Sequence, residues 1–256
     1  MTITVRQWPA GLSATLATLL FPLAAHADLY IRSPTDIDQG VWELEYNGLS
    51  TIDPSPLKGG ALSNTVEFAY GVTSWWRPEL ELDLEQAPGQ DQSTGLQGFV
   101  WENTFRLTEP GEYWADLGFY WEYGHAIQSG VSDETMFGPL IQKNIGVTTH
   151  TLNLFFTKEL GANQEIHGWD TSYAWQSRWN IYRLASPAVE IYGDAGQIDP
   201  FVKFPTQQVL AGPVVVGETL LGRLGKLKYE AGYLFGATAG SPAGAVRWKM
   251  EWEMRF

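Results

Sequence analysis

The sequence predicts an all-β chain, a single-chain transmembrane antiparallel up-and-down β-barrel of about 12 strands that follows a cleaved signal peptide. Three observations carry that prediction. Apolar residues recur at every second position in segment after segment, the period of a strand with two unlike faces. No run of 18 apolar residues follows the leader, so a membrane helix is excluded by length; strands, whose two faces average out in hydropathy, are not. The connections between segments alternate between short and long, as the two ends of a hairpin barrel require.

Residues 1–27 read as a secretory signal peptide. Arg6 supplies the positive charge, Leu12, Leu16, Leu19, Leu20, Phe21 and Leu23 the apolar run, and Ala25-His26-Ala27 the cleavage pattern. Residues 28–38, with Pro34 and the acids Asp36 and Asp38, form an N-terminal tail that is either periplasmic or lumenal. Residues 39–256 form the barrel.

The strands follow in order. Residues 41–49 set Trp42, Leu44 and Tyr46 against Glu43 and Glu45, and 64–72 set Val66, Phe68 and Tyr70 against Glu67. In 79–86, Leu80, Leu82 and Leu84 oppose Glu79, Glu81, Asp83 and Glu85, a carboxylate row that is tolerable where water solvates it. Residues 97–108 oppose Phe99, Trp101, Phe105 and Leu107 to Glu102, Thr104 and Arg106; 113–123 oppose Leu117, Phe119, Trp121 and Tyr123 to Asp116, Tyr120 and Glu122. Segments 137–144 and 207–217 alternate weakly and count as strands because bacterial single-chain barrels have an even number. Residues 148–159 set Leu152, Leu154 and Phe156 against Asn153 and Thr157, and 169–182 set Tyr173, Trp175 and Trp179 against Gln176, Arg178 and Asn180. Then 188–194 oppose Val189 and Ile191 to Glu190 and Asp194, and 226–236 oppose Leu227, Tyr229, Tyr233 and Phe235 to Lys228 and Glu230.

The last strand, 246–256, alternates without exception: Val246, Trp248, Met250, Trp252, Met254 and Phe256 interleave with Arg247, Lys249, Glu251, Glu253 and Arg255. With its terminal Phe256 the sequence here resembles bacterial outer-membrane β-barrels, in which such a residue is read by the barrel-assembly machinery. That resemblance implies outer-membrane localisation, with outer-membrane lipids and the assembly machinery as partners. The 12 Trp, 11 Tyr and 12 Phe fit the same picture, since aromatic rings suit the two membrane interfaces. Trp75, Trp76, Tyr113, Trp114 and Tyr182 are the girdle candidates. A soluble β-sandwich, which would bury the same rings in its core, is the alternative.

The chemistry follows from the inward positions. Acids there (Glu43, Glu45, Glu67, Glu79, Glu81, Asp83, Glu85, Glu102, Asp116, Glu122, Glu190, Asp194, Glu230, Glu251, Glu253) outnumber bases (Arg106, Arg178, Lys228, Arg247, Lys249, Arg255). An electronegative lumen concentrates cations. Closure sets Lys228, Arg247, Lys249 and Arg255 near Glu43, Glu45 and Glu67, which gives either a transverse field or crossing salt bridges. Charges that pair and make the barrel rigid are the competing account, and a strand number between eight and sixteen does not decide it.

Other classes have little support. With no Cys, there is no disulfide, thiol nucleophile or thiolate metal site, and a net charge of −13 speaks against nucleic acid. His125 and Ser129, four apart in a Gly-flanked loop, do not reproduce the His and Ser two apart of the outer-membrane phospholipase. His150 has outward parity and His167 lies in a loop, each without an acidic partner in register. No catalytic residue, metal ligand or cofactor is assigned.

Gly138-Pro139-Leu140-Ile141, the stretch Thr151 to Gly161, and Gly232-Tyr233-Leu234-Phe235-Gly236 are similar to proteobacterial barrels described as transporters, related to the meta-pathway phenol degradation family. The similarity spans roughly residues 95–256 and implies passage of small solutes. The expected function is therefore a channel for small solutes, cation-preferring, with the row from Glu79 to Glu85 as its main lumen feature. A closed structural barrel acting through loops such as 124–136 and 195–206 is the alternative, and a lipid hydrolase ranks last.

Overall fold

A computed structural model describes residues 30–86, 95–165, 167–199 and 202–256. The signal-peptide reading of 1–27 and most of the expected loop 87–96 lie outside the described residues. Twelve strands form: β1 (Trp42–Ile52), β2 (Leu62–Tyr70), β3 (Trp76–Gln86), β4 (Gly95–Arg106), β5 (Asp116–Ala126) and β6 (Asp133–Ile145), then β7 (Thr148–Leu160), β8 (Asp170–Trp179), β9 (Ser186–Gln197), β10 (Gln208–Leu220), β11 (Lys226–Gly236) and β12 (Gly244–Met254). Each pairs antiparallel with its sequence neighbours, and β1 pairs with β12 from Trp42↔Met254 to Ile52↔Gly244, so the sheet closes on itself. Closure matters physically because it leaves no edge strand with unpaired backbone groups. Among the described residues helix is confined to two three-residue 3-10 turns, Phe204–Thr206 and Gly222–Leu224.

The alternation read from sequence sets the two faces. Trp42, Tyr46, Phe68, Leu80, Trp101, Phe235 and Met250 are exposed on the outside, while Glu43, Glu45, Asn47, Glu67, Glu79, Glu81 and Glu102 are buried inside. This is the surface that a transmembrane barrel presents to lipid. Outward polar groups are covered by aromatic neighbours: the Tyr46 hydroxyl donates to Asn64 Oδ1 (2.7 Å), Trp76 Nε1 to Asn103 Oδ1 (3.0 Å) and Trp121 Nε1 to Thr135 Oγ1 (3.1 Å). Gly48 lies opposite Trp248, whose ring occupies the place a Cβ would need.

One end of the barrel, the turn end, carries Trp42, Met254 and the links 71–75, 107–115, 146–147, 180–185 and 221–225; the loop end carries the rest. The tightest link is Gly146-Val147, where Gly146 takes φ +59°, the left-handed region glycine favours and two-residue hairpins need. Strict alternation of link lengths fails at β4–β5. That link has nine residues, more than the six of 127–132 at the other end. It folds back on itself: Gly111 donates its N–H to Asp116 Oδ1 (2.5 Å) and Leu117 to Thr108 Oγ1 (2.8 Å), so β5 starts at Asp116 rather than at 113. Tyr113 and Trp114 consequently stand in the turn, both exposed, as are Trp75 and Tyr182 in theirs. Trp76 is half-buried at the start of β3.

Candidate functional site

The inward side chains divide by strand. From β11 through β12 and β1 to β5 the wall is charged; from β6 to β10 it is mostly amide, hydroxyl and aliphatic. On the charged side Arg77, Lys228 and Lys249 each sit between acids. Arg77 bridges Glu43 (2.8 Å) and Glu79 (2.9 Å). Lys249 meets Glu45 at 2.7 Å, and Lys226 meets Glu253 at 2.8 Å. Lys228 Nζ lies 2.8 Å from Glu251 and 2.6 Å from Glu253. Asn47, fully buried, donates to Glu45 (2.6 Å), Glu67 (2.6 Å) and Thr65 (3.2 Å). Arg247 spans the lumen from β12, paired with Glu190 of β9 and, at 2.8 Å, Glu230 of β11.

Residues 30–37 run inside this wall. Arg32 forms an ion pair with Glu102 (2.7 Å), and its guanidinium lies 4.3 Å from the Tyr120 ring centroid. Its backbone N–H and C=O are both bonded by the Asn153 amide. Arg106 donates to the carbonyls of Thr35 (2.8 Å) and Ile37 (2.7 Å), and Arg77 to that of Asp36 (2.8 Å). Asp36 accepts from Lys228 at 2.6 Å. Burial alone would raise the Asp36 carboxyl; the Lys228 ammonium, with Arg77 and Lys249 further off, outweighs it and holds that carboxyl well below the ordinary range. Pro34 rests on Gly118, where an added Cβ would come within 2.7 Å of the Pro34 Cβ.

Two cavities open at opposite ends. The turn-end cavity, about 580 Å³, is bounded by Ser33, Thr35 and Asp36 of the tail and by Gln142, Arg178 and Glu230 among wall residues. The loop-end cavity, about 260 Å³, has Asp83, Glu85, Glu134, Glu159 and Glu165 in its lining and no Lys or Arg among the described residues there. At intermediate height Tyr120, Leu140, Phe155, Tyr192 and Arg247 are exposed by 2% or less.

Glu43, Glu45, Glu67, Glu79, Glu81, Glu102, Glu122, Glu190, Glu251, Glu253 and Arg247 are buried inside, as is Asp116, which turns to the Gly111 N–H. The row on β3 splits: Glu79 and Glu81 are buried, whereas Asp83 and Glu85 border the loop-end cavity. Arg255 is not lumenal. β1 starts at Trp42 opposite Met254, so beyond that pair no strand remains to aim a side chain inward, and Arg255 is exposed, donating to the Gln39 carbonyl (3.2 Å). Phe256 lies past the ladder, 96% exposed. Arg77, Arg32 and Asn47 are lumenal residues that the alternation did not supply. Arg77 precedes Pro78 and the expected strand start at 79; its inward parity with Glu79 was the available signal.

The carboxylate oxygens of Glu67, Glu81 and Glu102 lie within 4.8 Å of one another, a grouping able to hold a cation; Arg32 already balances Glu102. A second grouping, Asp36, Glu251 and Glu253, surrounds the Lys228 ammonium. On the outer face His150 Nδ1 is 2.5 Å from Ser177 Oγ, and its Nε2 is 2.9 Å from Thr148 Oγ1. Ser177 is only 3% exposed, which leaves its hydroxyl no room to meet a carbonyl carbon. His125 pairs with Asp133 (2.9 Å) at the loop end.

No family model and no curated protein matches the chain. Among solved structures it is similar to a chain described as a bacterial polysaccharide outer membrane secretin, with 9% identity, 86% of this chain and 99% of that chain covered, and a TM-score of 0.42.

Proposed function

We propose that the chain is an outer-membrane barrel that passes small polar solutes, cations in preference, through a lumen closed at mid-height by its own N-terminal segment. The observation that carries this is the arrangement of the interior as two vestibules with a layer of fully buried side chains between them. A lumen filled only for rigidity has no need of vestibules, and an acidic outer one raises the local concentration of cations. The sequence pattern of residues 1–27 and the unbroken alternation of residues 246–256 support export and assembly into the outer membrane. Outer-membrane lipids, the barrel-assembly machinery and small solutes or cations are the partners in this reading.

The test is conductance across a planar lipid bilayer under a salt gradient, with the chain from residue 28 refolded into lipid. Discrete openings whose reversal potential favours cations are expected. Asp83→Asn with Glu85→Gln should reduce that preference more than Glu79→Gln with Glu81→Gln, because the outer pair borders the cavity. A folded barrel that stays silent, with or without residues 28–39, would overturn the proposal. It would favour the second reading, a closed barrel working through its loops, which the burial of Tyr120, Phe155 and Arg247 supports.

A further inference from the structure

The inward bases described above have acceptors, with one exception. Arg178 projects inward from β8, and its register neighbours, Thr149 on β7 and Ala188 on β9, carry no charge. Among the described residues no carboxylate comes within ion-pair distance of it, and its Nε is buried without an acceptor. A guanidinium offers five donors in a planar fork, and a buried N–H of that group left unbonded is costly. The partner that satisfies a fork two bonds at a time is a carboxylate or a phosphate.

We propose that the turn-end vestibule binds a small hydroxyl-bearing monocarboxylate, with Arg178 holding the carboxylate. The cavity of about 580 Å³ is in the range of small-molecule sites, roughly 300–1,000 Å³. Its walls near Arg178 are neutral hydrogen-bonders. Asn180 Nδ2 donates to Thr149 Oγ1 (2.8 Å), which donates to Asn144 Oδ1 (2.7 Å). That relay leaves Asn180 Oδ1 to accept from, and Asn144 Nδ2 to donate to, a solute hydroxyl. A single charge is specified because the other charges lining the cavity balance, Asp36, Glu218, Glu230 and Glu251 against Arg183, Lys226, Lys228 and Lys249, so that Arg178 adds one positive charge and suits a monoanion. Ser33 and Thr35 border the same space, so a bound solute rests against the N-terminal segment. This assignment deepens the solute-channel reading by naming a solute class.

Calorimetric titration of the refolded chain in detergent with sodium gluconate tests it, with sorbitol and inorganic phosphate as comparisons. Gluconate should bind saturably, and sorbitol, which lacks the carboxylate, about tenfold more weakly or worse. Arg178→Gln should weaken gluconate about tenfold or more, Arg178→Lys less, and Asn180→Ala a few-fold, all in barrels whose folding is verified by heat-modifiable migration. Absent gluconate binding, equal affinity in the Arg178→Gln and Asn180→Ala barrels, or phosphate bound as tightly as gluconate would each overturn the assignment. The two readings separate cleanly. Binding without conductance removes the channel and keeps the site; conductance without binding does the reverse.

Discussion

The two walls of the lumen solve the same problem in opposite ways. On the β11–β5 side carboxylates face inward on neighbouring strands, and the register sets Glu45 against Glu67 and Glu251, Glu67 against Glu81, and Glu79 against Glu102. Like charges placed so close are destabilising unless cations intervene. Arg77, Lys228, Lys249 and, from the N-terminal segment, Arg32 intervene. On the β6–β10 side Thr149 hydrogen-bonds to Asn144, Thr151 to Gln142, and Gln142 and Asn153 to the tail, and where a buried carboxylate does occur, Glu190 on β9, Arg247 meets it. The charged wall is therefore fixed and costly to alter, while the neutral wall leaves space.

The largest effect that would break this contrast is expected at Arg77. Arg77→Gln leaves Glu43 and Glu79 buried without their shared cation and should cost about 3–5 kcal/mol in urea unfolding followed by tryptophan fluorescence, against less than about 1.5 kcal/mol for Gln142→Leu on the neutral wall. Similar costs for the two would erase the distinction. A middle-sized effect is expected at Gly118. Gly118→Ala forces a Cβ to within 2.7 Å of the Pro34 Cβ and should cost about 1–3 kcal/mol by overpacking, seen first as faster amide exchange in residues 33–37 with the strand ladders unchanged.

The smallest effect concerns pH. Asp36 has its carboxyl held below the ordinary value of 3.8, so its pairing with Lys228 contributes fully above that value and fades as the pH falls through the lower folded one. Amide exchange in residues 33–37 should thus be insensitive to titration from pH 7 to about 4 beyond the intrinsic rate change, and should quicken only in more acidic solution. Loosening at pH 5 would assign the latch to another group. Because the Asp36 side chain is 41% exposed toward the cavity, water screens the pair and the gain is modest.

Much of this architecture was legible in the residues, for a physical reason. Period-two alternation is enforced wherever one face meets lipid and the other meets charge, so β1, β3, β4, β11 and β12 could be read directly. β6 and β10 hid because their inward residues, Met136, Leu140, Val214 and Val216, are as apolar as their outward ones. Which charges pair across the lumen was not legible, since Arg247 reaches Glu190 over 57 residues and only the closed register brings them together. Arg32 and Asp36 could not be assigned to the interior from composition either. Their partners, Glu102, Tyr120, Asn153, Arg77 and Lys228, come from five different strands, and no local pattern encodes that.

The N-terminal segment also constrains the order of assembly. Arg32, Pro34 and Asp36 touch β4, β5, β7 and β11, so the cylinder holds within it the stretch that leads directly into β1. A sheet already sealed at the β1–β12 seam could admit that stretch only lengthwise, past Lys228 and Arg77 at the turn end. A sheet still open at the seam can take it sideways and zip shut over it. Closing the seam last would wrap the sheet around residues 30–37 like cloth around a cord.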